Sequence, residues 1–218
     1  MTDNADEPSL DRLSVARYLA ALAQDGLHYS REHYDRDRFA RLRALASRLL
    51  AEDSALSPRS AEAVLAAETG HATAKVDVRG WVGDERGRVL LVREAVDGRW
   101  ALPGGWAEPH STPSAAIARE VREEAGRGVV VSRLLACFDR DLQAGADPLP
   151  HRVFKLFFHC DDHGAADPGG GAAAQETTAV DWFDPLDPPP LSLGRNTPDQ
   201  LRRLAAVVAD PQAPALFD

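Results

Sequence analysis

Glu120, Glu123 and Glu124 fall within the run Arg119-Glu120-Val121-Arg122-Glu123-Glu124-Ala125-Gly126. Spacings of three and four place the three carboxylates on one face of a helix, with neighbouring Cβ atoms about 5 to 6 Å apart. Like charges at that spacing cost an isolated helix roughly a few tenths of a kcal/mol per pair. A hard divalent cation, Mg2+ or Mn2+, would relieve that repulsion and could bridge the carboxylates to phosphate oxygens. A solvated surface helix rich in Glu and Arg is the plainer alternative, and spacing alone leaves it open. Ile117, Val121 and Ala125 occupy the opposite side and would pin the helix to a core.

The elements around this run have to position it. Pro113 and Gly126 mark a helix from about Pro113 to Ala125, preceded by the Pro103-Gly104-Gly105 loop. Before the loop, Val76 and Val78 alternate with Asp77 and Arg79, and the turn GDERGR leads into VLLVRE, a pattern that predicts a β-hairpin. After the helix, Val129 to Phe138, Val153 to Cys160 and Ala179 to Phe183 read as strands. The stretch 164–175, GAADPGGGAAAQ, is low in complexity and predicts a loop. Thr197-Pro198-Asp199-Gln200 is an N-terminal capping signature for a last helix to about Ala209. Upstream, helical periodicity runs from Leu10 to about Glu68 in three segments, the first ended by Gly26 at a C-cap position and the third opened by Ser57-Pro58. Two domains follow from this, a small helical one over residues 1–69 and an α/β (α+β) one over 70–218.

Composition sets outer limits. The 218 residues are 44% hydrophobic and 27% charged, as in a folded globular protein. The 34 acidic against 25 basic residues give a net charge of −9, which argues against a nucleic-acid partner held by a basic face. The arginine-rich second helix does not change this, since residues 1–68 carry 9 Arg against 12 Asp plus Glu. Two cysteines, Cys137 and Cys160, lack metal-site or disulfide-framework spacing and are assigned to the core. An acidic N-terminus and the lack of any run near the ~20 apolar residues of a membrane span predict a cytoplasmic, unanchored protein.

The loop, the helix and their spacing together resemble the Nudix hydrolase signature G-x5-E-x7-R-E-U-x-E-E-x-G-U, where U is aliphatic. With its first glycine on Gly105, residues Arg119, Glu120, Val121, Glu123, Glu124 and Gly126 all match. Two positions depart: Ser111 stands where the first glutamate belongs, and Arg127 where the last aliphatic residue belongs. Glu108 is the nearest acidic replacement as a partner for Arg119. VDVRGWV, RVLLVRE, WALPGGW and AVDWFDPL are also similar to the Nudix core, and residues 1–68 are similar to the N-terminal helical domain of a bacterial subgroup that includes CDP-choline and ADP-ribose pyrophosphatases.

The resemblance implies an α/β/α sandwich with a mixed sheet, a homodimer built through the helical domain, and Mg2+-dependent (or Mn2+-dependent) hydrolysis of a nucleoside diphosphate derivative. CDP-choline or ADP-ribose would yield a nucleoside monophosphate and a phosphorylated second product. It further implies Glu120 and Glu124 as principal metal ligands, with Glu123 and the Gly104 carbonyl assisting. Glu176, six residues before Trp182, is implied as a further acidic ligand or general base. Arg79 and Arg93, on strands beside the site, are candidates for substrate phosphates, and Trp81, Trp106, Tyr29 and Tyr34 for stacking, with core packing or a solvent-facing position as the alternatives. Two other functions stay in view: a ligand sensor with weakened catalysis, marked by Ser111, and an RNA-processing enzyme.

Overall fold

The computed structural model describes residues 11–54, 56–145, 149–167 and 176–218. The chain divides into two compact units, Met1–Ala74 with Asp147–Arg152, and Lys75–Ala146 with Val153–Asp218.

The first unit holds α1 (Arg12–Tyr29), α2 (His33–Glu52) and α3 (Pro58–Ala67). Asp11 caps α1 by accepting the Ser14 N–H, and Ser57 caps α3 by accepting the Ser60 N–H, with Pro58 in the first turn. Ala16, Ala20, Ala46, Leu50, Ala61 and Leu65 form its core, mostly small residues that let the helices approach closely. Arg17 Nε donates to the Leu149 carbonyl at 2.8 Å, so the 149–152 segment is tied to this unit. Gly26 does not end α1, as its C-cap reading requires; the helix continues for three more residues to Tyr29. Its lack of a side chain serves packing instead, since a Cβ there would lie 2.3 Å from the Phe39 ring of α2.

The second unit contains β1 (Lys75–Val82), β2 (Val89–Glu94), β3 (Trp100–Ala101), β4 (Gly104–Trp106), α4 (Pro113–Ala125), β5 (Arg127–Asp139), β6 (Val153–Ala165), β7 (Thr177–Phe183), α5 (Pro198–Ala209) and β8 (Leu216–Phe217). A mixed five-stranded sheet has the order β4-β1-β6-β5-β8, with β1–β6 and β5–β8 parallel, and an antiparallel three-stranded sheet has the order β3-β2-β7. The strands are covered on two sides. Val78, Val82 and Leu90 pack with Ile117 and Val121 of α4, while Trp81, Leu91 and Phe157 pack with Leu201 and Leu204 of α5. Trp81 is therefore a core residue and not a stacking surface. This is the expected α/β/α arrangement.

The hairpin read from VDVRGWV and RVLLVRE does not form. Both edges of β1 are taken by β4 and β6, so β2 pairs with β3 and β7, leaving one bridge, Gly83–Val89, near the turn. β6 runs past Cys160 to Ala165, into the stretch read as a loop; residues 168–175 of that loop lie outside the described residues. Cys160 is buried as expected, whereas Cys137 is half-buried. Among the described residues no helix is long and apolar enough to cross a membrane.

Gly26→Ala should overpack the α1–α2 contact and destabilise the protein by about 1 to 3 kcal/mol. Urea unfolding checks this, and unchanged stability would contradict the close approach.

Candidate active site

α4 is held at both ends by local chemistry. Thr112 accepts the Ala115 N–H, Pro113 opens the first turn, and Gly126 closes the helix in the left-handed conformation (φ 60°), its N–H on the Arg122 carbonyl at 3.0 Å. With Ile117 and Val121 fully buried, the helix presents Glu120 and Glu124 to the Gly104-Gly105 loop. Glu124, 8% exposed, accepts the Gly104 N–H at 2.8 Å. Gly104 has φ 142°, and a Cβ there would meet the Val78 carbonyl oxygen at 2.0 Å, so no other residue fits. A Cβ on Gly105 would lie 3.5 Å from Glu120 Oε2, which puts the second glycine directly against that carboxylate.

Arg119 gathers the remaining acids. It meets Glu108 at 2.7 Å and Glu120 at 3.2 Å, approaches Glu123 to 4.0 Å, and donates to Ser111 Oγ at 3.4 Å. Glu108 thus supplies the carboxylate that Ser111 lacks, three residues earlier in the chain. Arg127, at the other departure, grips Asp162 and lies over the Trp182 ring, 5.7 Å from its centroid.

Burial pushes the Glu124 carboxyl up to about 8, against the opposing pull of Arg79 and the Gly104 N–H. Burial also raises Glu120, although Arg119 pulls it down. These are desolvated acids short of positive charge. Among the described residues no three His, Cys, Asp or Glu side chains converge as a ready cage, and Glu123 lies between Arg119 at 4.0 Å and Arg122 at 3.9 Å. Two carboxylates beside a backbone loop still suit Mg2+, which binds through one or two carboxylates and keeps several waters.

The other predicted residues are placed as follows. Arg79 is 3% exposed, not solvent-facing, because β1 is covered on both sides. Its Nε and Nη2 fork onto Asp77 at 2.9 and 2.8 Å, and its Nη1 donates to the Leu102 carbonyl at 3.1 Å. Arg93 is exposed on β2 and donates from Nε to the Gly98 carbonyl, in its own turn. Glu176 is exposed at the start of β7, where the next residue, Thr177, donates to the Glu124 carbonyl at 3.2 Å. This brings the head of β7 to the end of α4 that carries Glu124.

Sequence reading missed a buried charge network. Arg195 forks onto Glu94 at 2.8 and 3.0 Å, and Lys155 Nζ donates to the carbonyls of Gly194 and Arg195. Burial pushes Lys155 down to about 7; for Asp77, burial would raise the carboxyl, but Arg79 and Lys155 prevail and hold it below the usual range. The available signal was a lone lysine in the apolar run VFKLFF.

The NUDIX domain family matches residues 73–204. The chain belongs to the Nudix hydrolase family. Residues 11–65 match the UDP-X-like, N-terminal oligomerisation domain, so this Nudix enzyme carries an oligomerisation domain ahead of its catalytic fold. The Bacillus subtilis (strain 168) protein named "Putative ADP-ribose pyrophosphatase YjhB" is 35% identical over 94% of this chain and 96% of its own. A crystal structure of an ADP-ribose pyrophosphatase from Streptococcus suis 89-1591 is 34% identical and covers 67% of this chain and 100% of that one, with a TM-score of 0.58. A crystal structure of UDP-X diphosphatase, 28% identical, covers 97% of this chain and 100% of that one, with a TM-score of 0.60.

Two outcomes follow from this geometry. Glu108→Ala should lower turnover about 10-fold, the size expected for an outer partner if Glu120 holds a cation, and adding Ser111→Glu should restore it; steady-state kinetics on the single and double variants decide. The raised Glu124 pKa means the metal-free folded state holds that proton more tightly than the unfolded chain does. This contribution to stability is therefore full below the usual 4.5 and lost as pH rises towards about 8. Urea titrations across that window should show the loss in the unmodified protein relative to Glu124→Gln, and a divalent cation should raise the melting temperature more at pH 8 than at pH 5.

Proposed function

We propose that the protein is a cytoplasmic, homodimeric diphosphatase that uses Mg2+, or Mn2+ in its place, to hydrolyse a nucleoside diphosphate linked to a second group, yielding a nucleoside monophosphate and a phosphorylated second product. The observation that carries the proposal is the buried Glu124, seated on the Gly104 N–H and joined by Glu120 on the same loop. Its relatives' names point to ADP-ribose and UDP-linked substrates, and CDP-choline stays in the set as the subgroup's other substrate.

In this reading Glu120 and Glu124 are the principal ligands, with Glu123 and the Gly104 carbonyl assisting. These residues would hold a divalent cation, which would supply Lewis-acid charge to the diphosphate when bound. Arg119 holds Glu120 from the side and keeps the acid face ordered before substrate arrives. Glu176 is assigned the proton of the attacking water, since the head of β7 sits at the Glu124 turn. Arg79 acts through the loop, by its bond to Leu102, and Arg93 is left as an outer contact for the substrate. Against the sensor alternative that Ser111 raises, the Glu108–Arg119 pair supports the hydrolase reading.

Phosphatase-coupled phosphate release tests the proposal on CDP-choline, ADP-ribose, UDP-sugars, NADH, dinucleoside polyphosphates and nucleoside triphosphates. Turnover should require Mg2+ or Mn2+ and stop with chelator. Glu124→Gln should lose at least about 100-fold, since even outer partners of metal ligands are worth about 10- to 100-fold. Turnover without metal, or undiminished in Glu124→Gln, would sink the proposal.

A further inference from the structure

β3 belongs to the three-stranded sheet and β4 to the five-stranded one, so Leu102 and Pro103 leave one ladder before the chain enters the other. Leu102 is fully buried, and its two backbone groups need partners that neither ladder supplies. Side chains supply both. Asn196 Oδ1 accepts the Leu102 N–H at 2.9 Å, and Arg79 Nη1 donates to the Leu102 carbonyl at 3.1 Å. Pro103 then accepts from the Gly80 N–H at 2.9 Å, and Gly104 follows on Glu124.

Asn196 is 0% exposed and fixed on both flanks. Thr197 caps α5 through reciprocal bonds with Gln200 at 3.0 and 3.2 Å. On the other side, Lys155 holds the carbonyls of Gly194 and Arg195, and Arg195 is forked onto Glu94. Further back, the Trp100 N–H meets the Pro190 carbonyl at 3.0 Å and the Ser192 N–H meets the Trp100 carbonyl at 2.8 Å. Residues 190–197 therefore form a rail beside β3, and Asn196 passes its position to the residue two before Gly104.

We infer that Asn196 is a positioning residue for the hydrolytic reaction: by holding Leu102 it sets the Gly104-Gly105 loop against Glu120 and Glu124. The inference rests on the diphosphatase reading for its kinetic arm only. The side chain uses half of its amide, since Nδ2 is buried with no hydrogen-bond partner among the described residues. A carboxyl group of the same shape keeps the acceptor that matters, and leucine of nearly the same shape removes it.

Two measurements on Asn196→Leu and Asn196→Asp test it. By amide exchange, the Gly104 N–H should open about tenfold faster in Asn196→Leu and not in Asn196→Asp. By steady-state kinetics, Asn196→Leu should lose about 100-fold in kcat with KM little changed, as expected for misplaced catalytic groups, while Asn196→Asp keeps most of kcat. A rise in KM at constant kcat would make Asn196 a direct substrate contact and overturn the inference, as would unchanged Gly104 exchange. If the unmodified protein turns over nothing, the diphosphatase reading fails and the exchange result still decides the positioning role. Asn196→Ala, which adds no volume, replaces a leucine variant that does not fold; if both unfold outright, Asn196 is a folding residue and the inference falls.

Discussion

A carboxylate taken out of water needs compensating charge or donors, and Glu124 is the acid on which this site turns. One backbone N–H and a neighbouring arginine do not offset its burial. That deficit is what a cation would relieve in the proposed reading, and it constrains what lies nearby. The partner N–H must come from a residue without a side chain, because the β4 strand meets β1 at Val78 with no space for a Cβ. The helix stops at Ala125, and the left-handed Gly126 after it allows the chain to turn away.

The strands divide into two sheets around this loop. β1 gives both edges to β4 and β6, which seats the glycine loop on the helix but denies β1 to its sequence neighbour β2. The chain then crosses between sheets at Leu102 and Pro103, where backbone hydrogen bonding has to be improvised from side chains. Charges are gathered around this gap. Arg79 bonds the crossing directly, while Lys155 and the Glu94–Arg195 fork, both missed in the sequence, secure the segment that bonds it from the other side.

What could be read from the sequence was what local chemistry decides. The caps of α4 and α5 and the face shared by Glu120 and Glu124 depend on residues within one or two turns, so they were legible. The role of Glu108 was legible too, because only its distance along the chain from Arg119 mattered. Gly26 was misread because a glycine that ends a helix and one that admits a neighbouring ring look alike until Phe39 is placed. The hairpin was misread because a turn fixes where a chain reverses, not which edges remain free. Arg79 was read as a candidate for substrate phosphates, with a solvent-facing position as the alternative, because alternation shows that it leaves the apolar set and not that Asp77 and the Leu102 carbonyl wait on that side. Asn196 is one residue before a capping box and reads as ordinary turn punctuation.

The bond between Leu102 and Asn196 spans 94 residues of chain. Protein synthesis runs from the N-terminus, and long-range pairings form late. The ribosome will have released the whole signature run, Gly105 to Arg127, long before the segment that orders its entry exists. A nascent chain therefore carries the motif well ahead of the geometry, and the arrangement of loop and carboxylates is completed with the docking of the last described helix. In this protein the signature is an early passage of sequence and the catalyst a late event of folding.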